Sequence, residues 1–110
     1  MATNKPEAIV INPEQPSIDK ALEIVKGKWR LSIILLLDRN TLRYGELRAK
    51  LPTVSEKVLS SELKALLLLG VLNRKVYAEV PPRVEYTLSE RGLLALPALI
   101  QLKEVGRIFL

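Results

Sequence analysis

The chain contains no cysteine and no histidine. The first absence rules out a disulfide, a thiolate nucleophile and a thiol redox switch, and the second removes the commonest metal ligand and general base. The serines therefore have no histidine partner, no glycine-rich phosphate loop is present, and the scattered carboxylates show no metal spacing, which makes an enzyme the weakest reading. No metal and no cofactor is expected. Aromatic residues are also scarce. One Phe, one Trp and three Tyr supply no evident stacking platform, so RNA is disfavoured as a partner. No apolar run approaches the roughly 20 residues that cross a bilayer, and the N-terminus lacks a cationic-then-apolar signal pattern, so a cytoplasmic protein without a membrane partner is expected.

What is present is apolar and basic. At 110 residues the chain fits one domain, and its 48% hydrophobic content with mean hydropathy +0.15 is rich for so small a soluble protein, which implies that some of its surface meets a partner. The net charge is +5, and its location says more than its size. Residues 39–83 hold nine Lys or Arg against four acids, while the remainder is balanced. That segregation is the footprint expected of a phosphate-binding surface.

Residues 1–16, with Pro6, Pro13 and Pro16 and no sustained period, read as an N-terminal arm, leaving residues 17–110 as the domain. Ser17 is placed to cap a first helix, in which Ile18, Ala21, Leu22 and Val25 share a face, ending near Gly27. Lys28-Trp29-Arg30 opens a second helix so rich in Ile and Leu that it must be buried nearly all round, with Trp29 assigned to packing. Asn40 is expected to end it in a left-handed conformation. Leu42-Arg43 reads as a short strand, and Tyr44, Leu47 and Leu51 mark one face of a small helix stopped by Pro52.

The segment 54–70 is the centre of the reading. On a helical wheel Leu59, Leu63, Leu66 and Leu69 fall in one arc, with Val58 at its margin, while Lys57, Ser60, Ser61 and Lys64 occupy the opposite arc. Ser55 is the expected N-cap, with Thr53 and Glu56 as a competing capping box, and Gly70 is the expected terminator. Glu62 falls near the apolar arc and is expected at its edge or paired with Arg48 or Lys50. A short helix, a tight turn and a longer helix with a small polar face form a helix-turn-helix, in which the first helix props the second at the depth of a major groove.

Residues 72–80 and 83–88 alternate and are joined through Pro81-Pro82, which gives a hairpin wing. Arg83 beside the tip either reaches a minor groove or phosphate row, the preferred reading, or pairs with Glu79 or Glu85. Ser89 caps a last helix running towards Phe109 and bent by Pro97. It carries more apolar groups than a small domain can cover, and Leu93, Leu96, Leu99, Ile100 and Val105, with Ile18 and Leu22 of the first helix, are expected to form a two-fold dimer contact.

Several strings then resemble a known family: Gly27-Lys28-Trp29 before an Ile/Leu-rich helix, Leu42-Arg43-Tyr44-Gly45-Glu46-Leu47, Ser55-Glu56-Lys57-Val58-Leu59-Ser60, Leu63-Lys64-Ala65-Leu66, Gly70-Val71-Leu72, and above all Val80-Pro81-Pro82-Arg83-Val84-Glu85-Tyr86-Thr87-Leu88-Ser89-Glu90-Arg91-Gly92. From about Ile18 to Val105 the chain resembles the HxlR-type winged helix-turn-helix regulators, relatives of the MarR group. The resemblance implies a homodimeric transcription factor on an inverted-repeat operator, acting as repressor or activator. Several members of that family sense electrophiles or oxidants through a cysteine ahead of the first helix, where this chain has Gln15-Pro16-Ser17, so that route is absent. A tryptophan common late in the family's last helix is missing as well, with Val105 near its place.

The expected fold is therefore mostly α with a small β-wing, a winged helix-turn-helix dimerising through its terminal helices. The expected function is sequence-specific binding of double-stranded DNA as a homodimer, and the alternative is a winged-helix protein-interaction module without specific DNA binding. The helix beginning at Ser55 would enter the major groove, with Lys57, Ser60 and Ser61 choosing bases. Arg43, Lys57, Lys64, Arg74 and Lys75 would lie against phosphates and Arg83 at the wing tip. The residues name no small-molecule effector, operator or target gene.

Overall fold

The computed structural model describes residues 13–110. The expected arm therefore lies, for residues 1–12, outside the described residues. Helix α1 spans Gln15–Ile24 and starts earlier than Ser17. Glu14 occupies the cap position without a side-chain cap bond, and Pro16 sits in the first turn, where its fixed φ and missing amide suit a helix start. Ser17 is thus inside the helix rather than its cap. Helix α2 is Arg30–Leu36, with Trp29 at its N-cap and packed against the core, and no residue from 30 to 37 is exposed. Arg39, not Asn40, takes the left-handed turn at φ 57°, and the Asn40 side-chain amide donates to the Leu36 carbonyl at 3.0 Å.

Strand β1 is Leu42–Arg43 and helix α3 is Tyr44–Lys50, whose Glu46 carboxylate reaches back to accept from the Arg43 amide at 2.8 Å. Helix α4 is Glu56–Leu68. Its start is settled by Ser55, whose Oγ accepts from the Val58 amide at 3.1 Å. At its end Gly70 adopts φ 80°, its amide donating to Leu67 and that of Val71 to Leu66, which satisfies two carbonyls of the last turn. Strands β2 (Leu72–Tyr77) and β3 (Arg83–Leu88) complete an antiparallel sheet ordered β1-β3-β2. Helix α5 runs through Pro97 from Glu90 to Arg107, ending short of Phe109.

One core joins these elements. Ile33, Ile34 and Leu37 from α2 and its end meet Leu47 of α3 and Leu59, Leu63 and Leu66 of α4, all essentially inaccessible to solvent. Tyr86 and Leu88 of β3 and Leu96 of α5 close it. Leu96, expected on a dimer surface, is thus a core residue at 7% exposure, because it points at the winged domain while its neighbours do not. Leu99 and Ile100 are half-buried against that core, whereas Ile18, Leu22 (61%), Leu93, Leu94 (78%), Leu102 and Val105 stay exposed.

The corner from α4 through β2 to α5 is held by Ser89. Its hydroxyl accepts from the Gly92 amide at 2.9 Å, capping α5, and donates to the Gly70 carbonyl at 2.6 Å, while its own amide donates to the Val71 carbonyl at 2.9 Å. Gly92 allows this approach, since a Cβ there would overlap the Val71 carbonyl oxygen, a backbone atom with nowhere to go. Gly92→Ala should therefore lower stability by about 1–3 kcal/mol, the usual cost of overpacking a close contact. A fall in the urea midpoint with an unchanged slope is the expected result.

Candidate nucleic-acid interface

Because α4 buries Leu59, Leu63 and Leu66, its opposite side is obliged to face outwards. Lys57, Ser60, Ser61 and Lys64 are all exposed there, and Val58 lies at the boundary. Ser55 is exposed at the first turn, engaged in capping. The link to the preceding helix is a tyrosine that sequence reasoning had assigned to packing alone. Tyr44 packs its ring against the core while its hydroxyl donates to the Glu56 carbonyl at 3.3 Å and accepts from Ser60 Oγ at 3.4 Å. The need of a half-buried phenol for a polar partner was the available signal. The contact brings the start of α3 against the outer side of α4.

On the far side of Tyr44 a cleft of about 400 Å³ separates the start of α3 from the wing tip, lined by Arg43, Tyr44, Gly45 and residues 79–84. Thus Tyr44 is shared between the polar side of α4 and the cleft that reaches the wing tip. Arg43, Lys57, Lys64 and Arg74 enter no ion pair among the described residues and are exposed.

The sheet register sorts the remaining cations. Leu42, Tyr86 and Arg74 stand opposite one another across the strands, as do Arg43, Glu85 and Lys75. Since Leu42 and Tyr86 are buried, the first row is on the core side and the second on the outer side. Arg74 and Lys75, expected to work together, therefore project from opposite faces of β2. Alternation in a strand requires this of any two adjacent residues.

Arg83 is engaged within the wing. Its Nη2 lies 3.2 Å from Glu79 Oε2, its Nε lies 3.6 Å from Glu85 Oε2, and its guanidinium carbon sits 4.0 Å from the centre of the Tyr77 ring. The longer contact is an ion pair beyond hydrogen-bond range, leaving Nε without a hydrogen-bond partner. Lys75 Nζ approaches the same ring at 4.9 Å. The side chain of Arg83 is only 29% exposed, so the intramolecular pairing considered beside a DNA contact is the geometry found.

The other departure is at Glu62. Its partner is Arg30 of α2, with Arg30 Nε 3.2 Å from Glu62 Oε2, rather than Arg48 or Lys50. Arg48 instead stands 3.7 Å from Glu56. The separation of 32 residues explains why helical spacing did not indicate it.

Comparison with known proteins gives a consistent result. A sequence model of the HxlR-like helix-turn-helix family matches residues 24–110. An uncharacterised helix-turn-helix-type transcriptional regulator of Methanothermobacter thermautotrophicus is 37% identical over 93 residues, covering 84% of this chain and 71% of that protein. A solved structure assigned to the MarR family of transcriptional regulators, from Enterococcus faecalis V583, superposes with TM-score 0.79 at 37% identity, covering 91% of each chain. The oxidised form of the redox regulator HypR is similar too, at TM-score 0.76 and 32% identity over 83% of this chain and 94% of that one.

The pairing of Arg83 with two carboxylates and a ring makes a specific demand on wing order. In Arg83→Ala, amide exchange over residues 77–84 should accelerate while that of Ile33, Leu59 and Leu63 stays as slow as in the parent. Equal acceleration in both regions would show that Arg83 supports the whole domain instead.

Proposed function

The chain belongs to the HxlR-like helix-turn-helix family and is a DNA-binding transcriptional regulator, and we propose that it acts as a cytoplasmic homodimer on an inverted-repeat operator. The observation that carries the reading is the one-sided burial of α4, with a leucine stripe locked in the core and Lys57, Ser60, Ser61 and Lys64 exposed on the opposite side. A short cationic and hydroxylic face on a propped helix fits the width of a major groove. In this reading Lys57, Ser60 and Ser61 meet base edges, and Ser55, Lys64 and Arg43 lie against phosphates. Lys75 supports the phosphate row from the outer sheet face beside Arg43, and Arg74, exposed on the opposite face of β2, meets a separate stretch of backbone. Arg83 first shapes the wing, and meets DNA by exchanging one of its two carboxylates for phosphate.

The dimer part of the reading rests on the apolar residues that the domain leaves uncovered. Ile18 and Leu22 of α1, with Leu93, Leu94, Leu102 and Val105 of α5, are large apolar side chains left exposed to solvent. A second copy would cover it by two-fold symmetry, with Leu99 and Ile100 at the edge of the contact. These 110 residues contain no thiol, so the cysteine chemistry of redox regulators is not open to them. No enzymatic role is proposed.

Three outcomes are expected. With duplex from the region upstream of its own gene, log affinity should fall with log salt at roughly −0.9 per neutralised phosphate, for about 6–10 phosphates per dimer. In the same titration Lys57→Ala should cost about 1–3 kcal/mol on the specific site and less on unrelated duplex. An affinity indifferent to salt would defeat the assignment. Leu93→Glu combined with Val105→Glu should yield monomers in sedimentation equilibrium, and a dimer that persists would place the interface elsewhere.

A further inference from the structure

We infer that Arg30 and Glu62 are positioning residues that set the angle between α1 and the DNA-facing helix α4, and so the separation at which the two half-sites of an operator are read. The inference rests on the dimer reading above. Arg30, at the first position of α2, spans three elements with one planar fork. Its Nη1 donates to the Glu23 carbonyl in the last turn of α1 at 2.6 Å, while Nε and Nη2 reach the two oxygens of Glu62 on α4 at 3.2 and 3.5 Å. The two side chains are 14% and 17% exposed, so water competes weakly for this link.

Helix α1 needs such a tie. None of its residues is buried, and within the described residues no other hydrogen bond or ion pair joins α1 to a different helix. Its apolar anchorage to the domain is Ile24, packed at the core margin. Residues 25–29 turn the chain between α1 and α2 beside the same carboxylate, with Glu62 Oε2 3.8 Å from where a Cβ on Gly27 would stand. A guanidinium fork constrains direction as well as distance, which a single lysine ammonium does not. If α1 of one copy packs on the other copy, its tilt relative to α4 decides how far apart the two α4 helices stand. Half-site spacing is then a readout of one ion pair.

The test uses the full chain and duplexes carrying either one half-site or two half-sites with the selected spacer lengthened or shortened by one base pair. Arg30→Met with Glu62→Leu removes both charges together, so neither is left uncompensated. The parent should lose about tenfold or more on the altered spacers, the scale of one mismatched base pair, and the double variant less than about fivefold, with its affinity for the single half-site unchanged. Should the double variant not fold, Arg30→Lys, which keeps the charge and loses the fork, carries the same expectation. A variant with the parent's spacing profile, or one that loses affinity equally on every duplex, overturns the inference alone. A parent that binds DNA but is indifferent to spacing overturns it together with the inverted-repeat reading.

Discussion

Leu59, Leu63 and Leu66 have no route to water, and the opposite side of α4 is outward because these three are not. Fully burying a leucine contributes about 1.5–3 kcal/mol, and no polar contact on the outer side approaches the sum. The helix therefore cannot roll to relieve strain on its polar face. It meets whatever it binds as a fixed surface, held at its start by Ser55 and at its end by Gly70. Preorganisation of this kind lowers the ordering cost of association, so that contacts made by short side chains such as Ser60 and Ser61 are not spent on immobilising the backbone.

The rest of the molecule is arranged around that fixed surface by three polar ties. Tyr44 joins α3 to α4, Ser89 joins α5 to the end of α4, and Arg30 joins α1 and α2 to its middle. Each tie is made by a side chain whose own element is anchored by apolar packing, so each converts burial in one place into orientation in another. The wing follows a different logic. Its tip is organised by Arg83, Glu79, Glu85 and Tyr77, a set confined to the hairpin, and its strands enter the core chiefly through Leu72, Tyr86 and Leu88. It is consequently the part of the surface best able to shift without disturbing α4.

Features set by neighbours in sequence were legible in the residues. The two faces of α4, the caps at Ser55 and Ser89, the glycine end at Gly70 and the alternation of β3 all follow from rules that act over a few positions, and they are found as read. The first helix begins before Ser17 because Pro16 is as good a starter as a serine cap, and composition does not rank the two. Glu62 finding Arg30 and Leu96 turning inwards depend on which elements pack together, information absent from local spacing, whereas Arg83 meets Tyr77 because the hairpin register sets them opposite each other. Arg74 and Lys75 are a separate lesson. Their divergence was readable from strand alternation, and counting charge by segment concealed it.

The segregation of α4 into an anchoring side and a presenting side bears on how such a chain diverges. Exchanges at exposed helix positions away from caps usually move stability by less than about 0.5 kcal/mol. Lys57, Ser61 and Lys64 can thus be replaced over generations with the scaffold left intact, and, on the proposed assignment of these residues to DNA, an address on the chromosome can drift faster than the architecture that reads it.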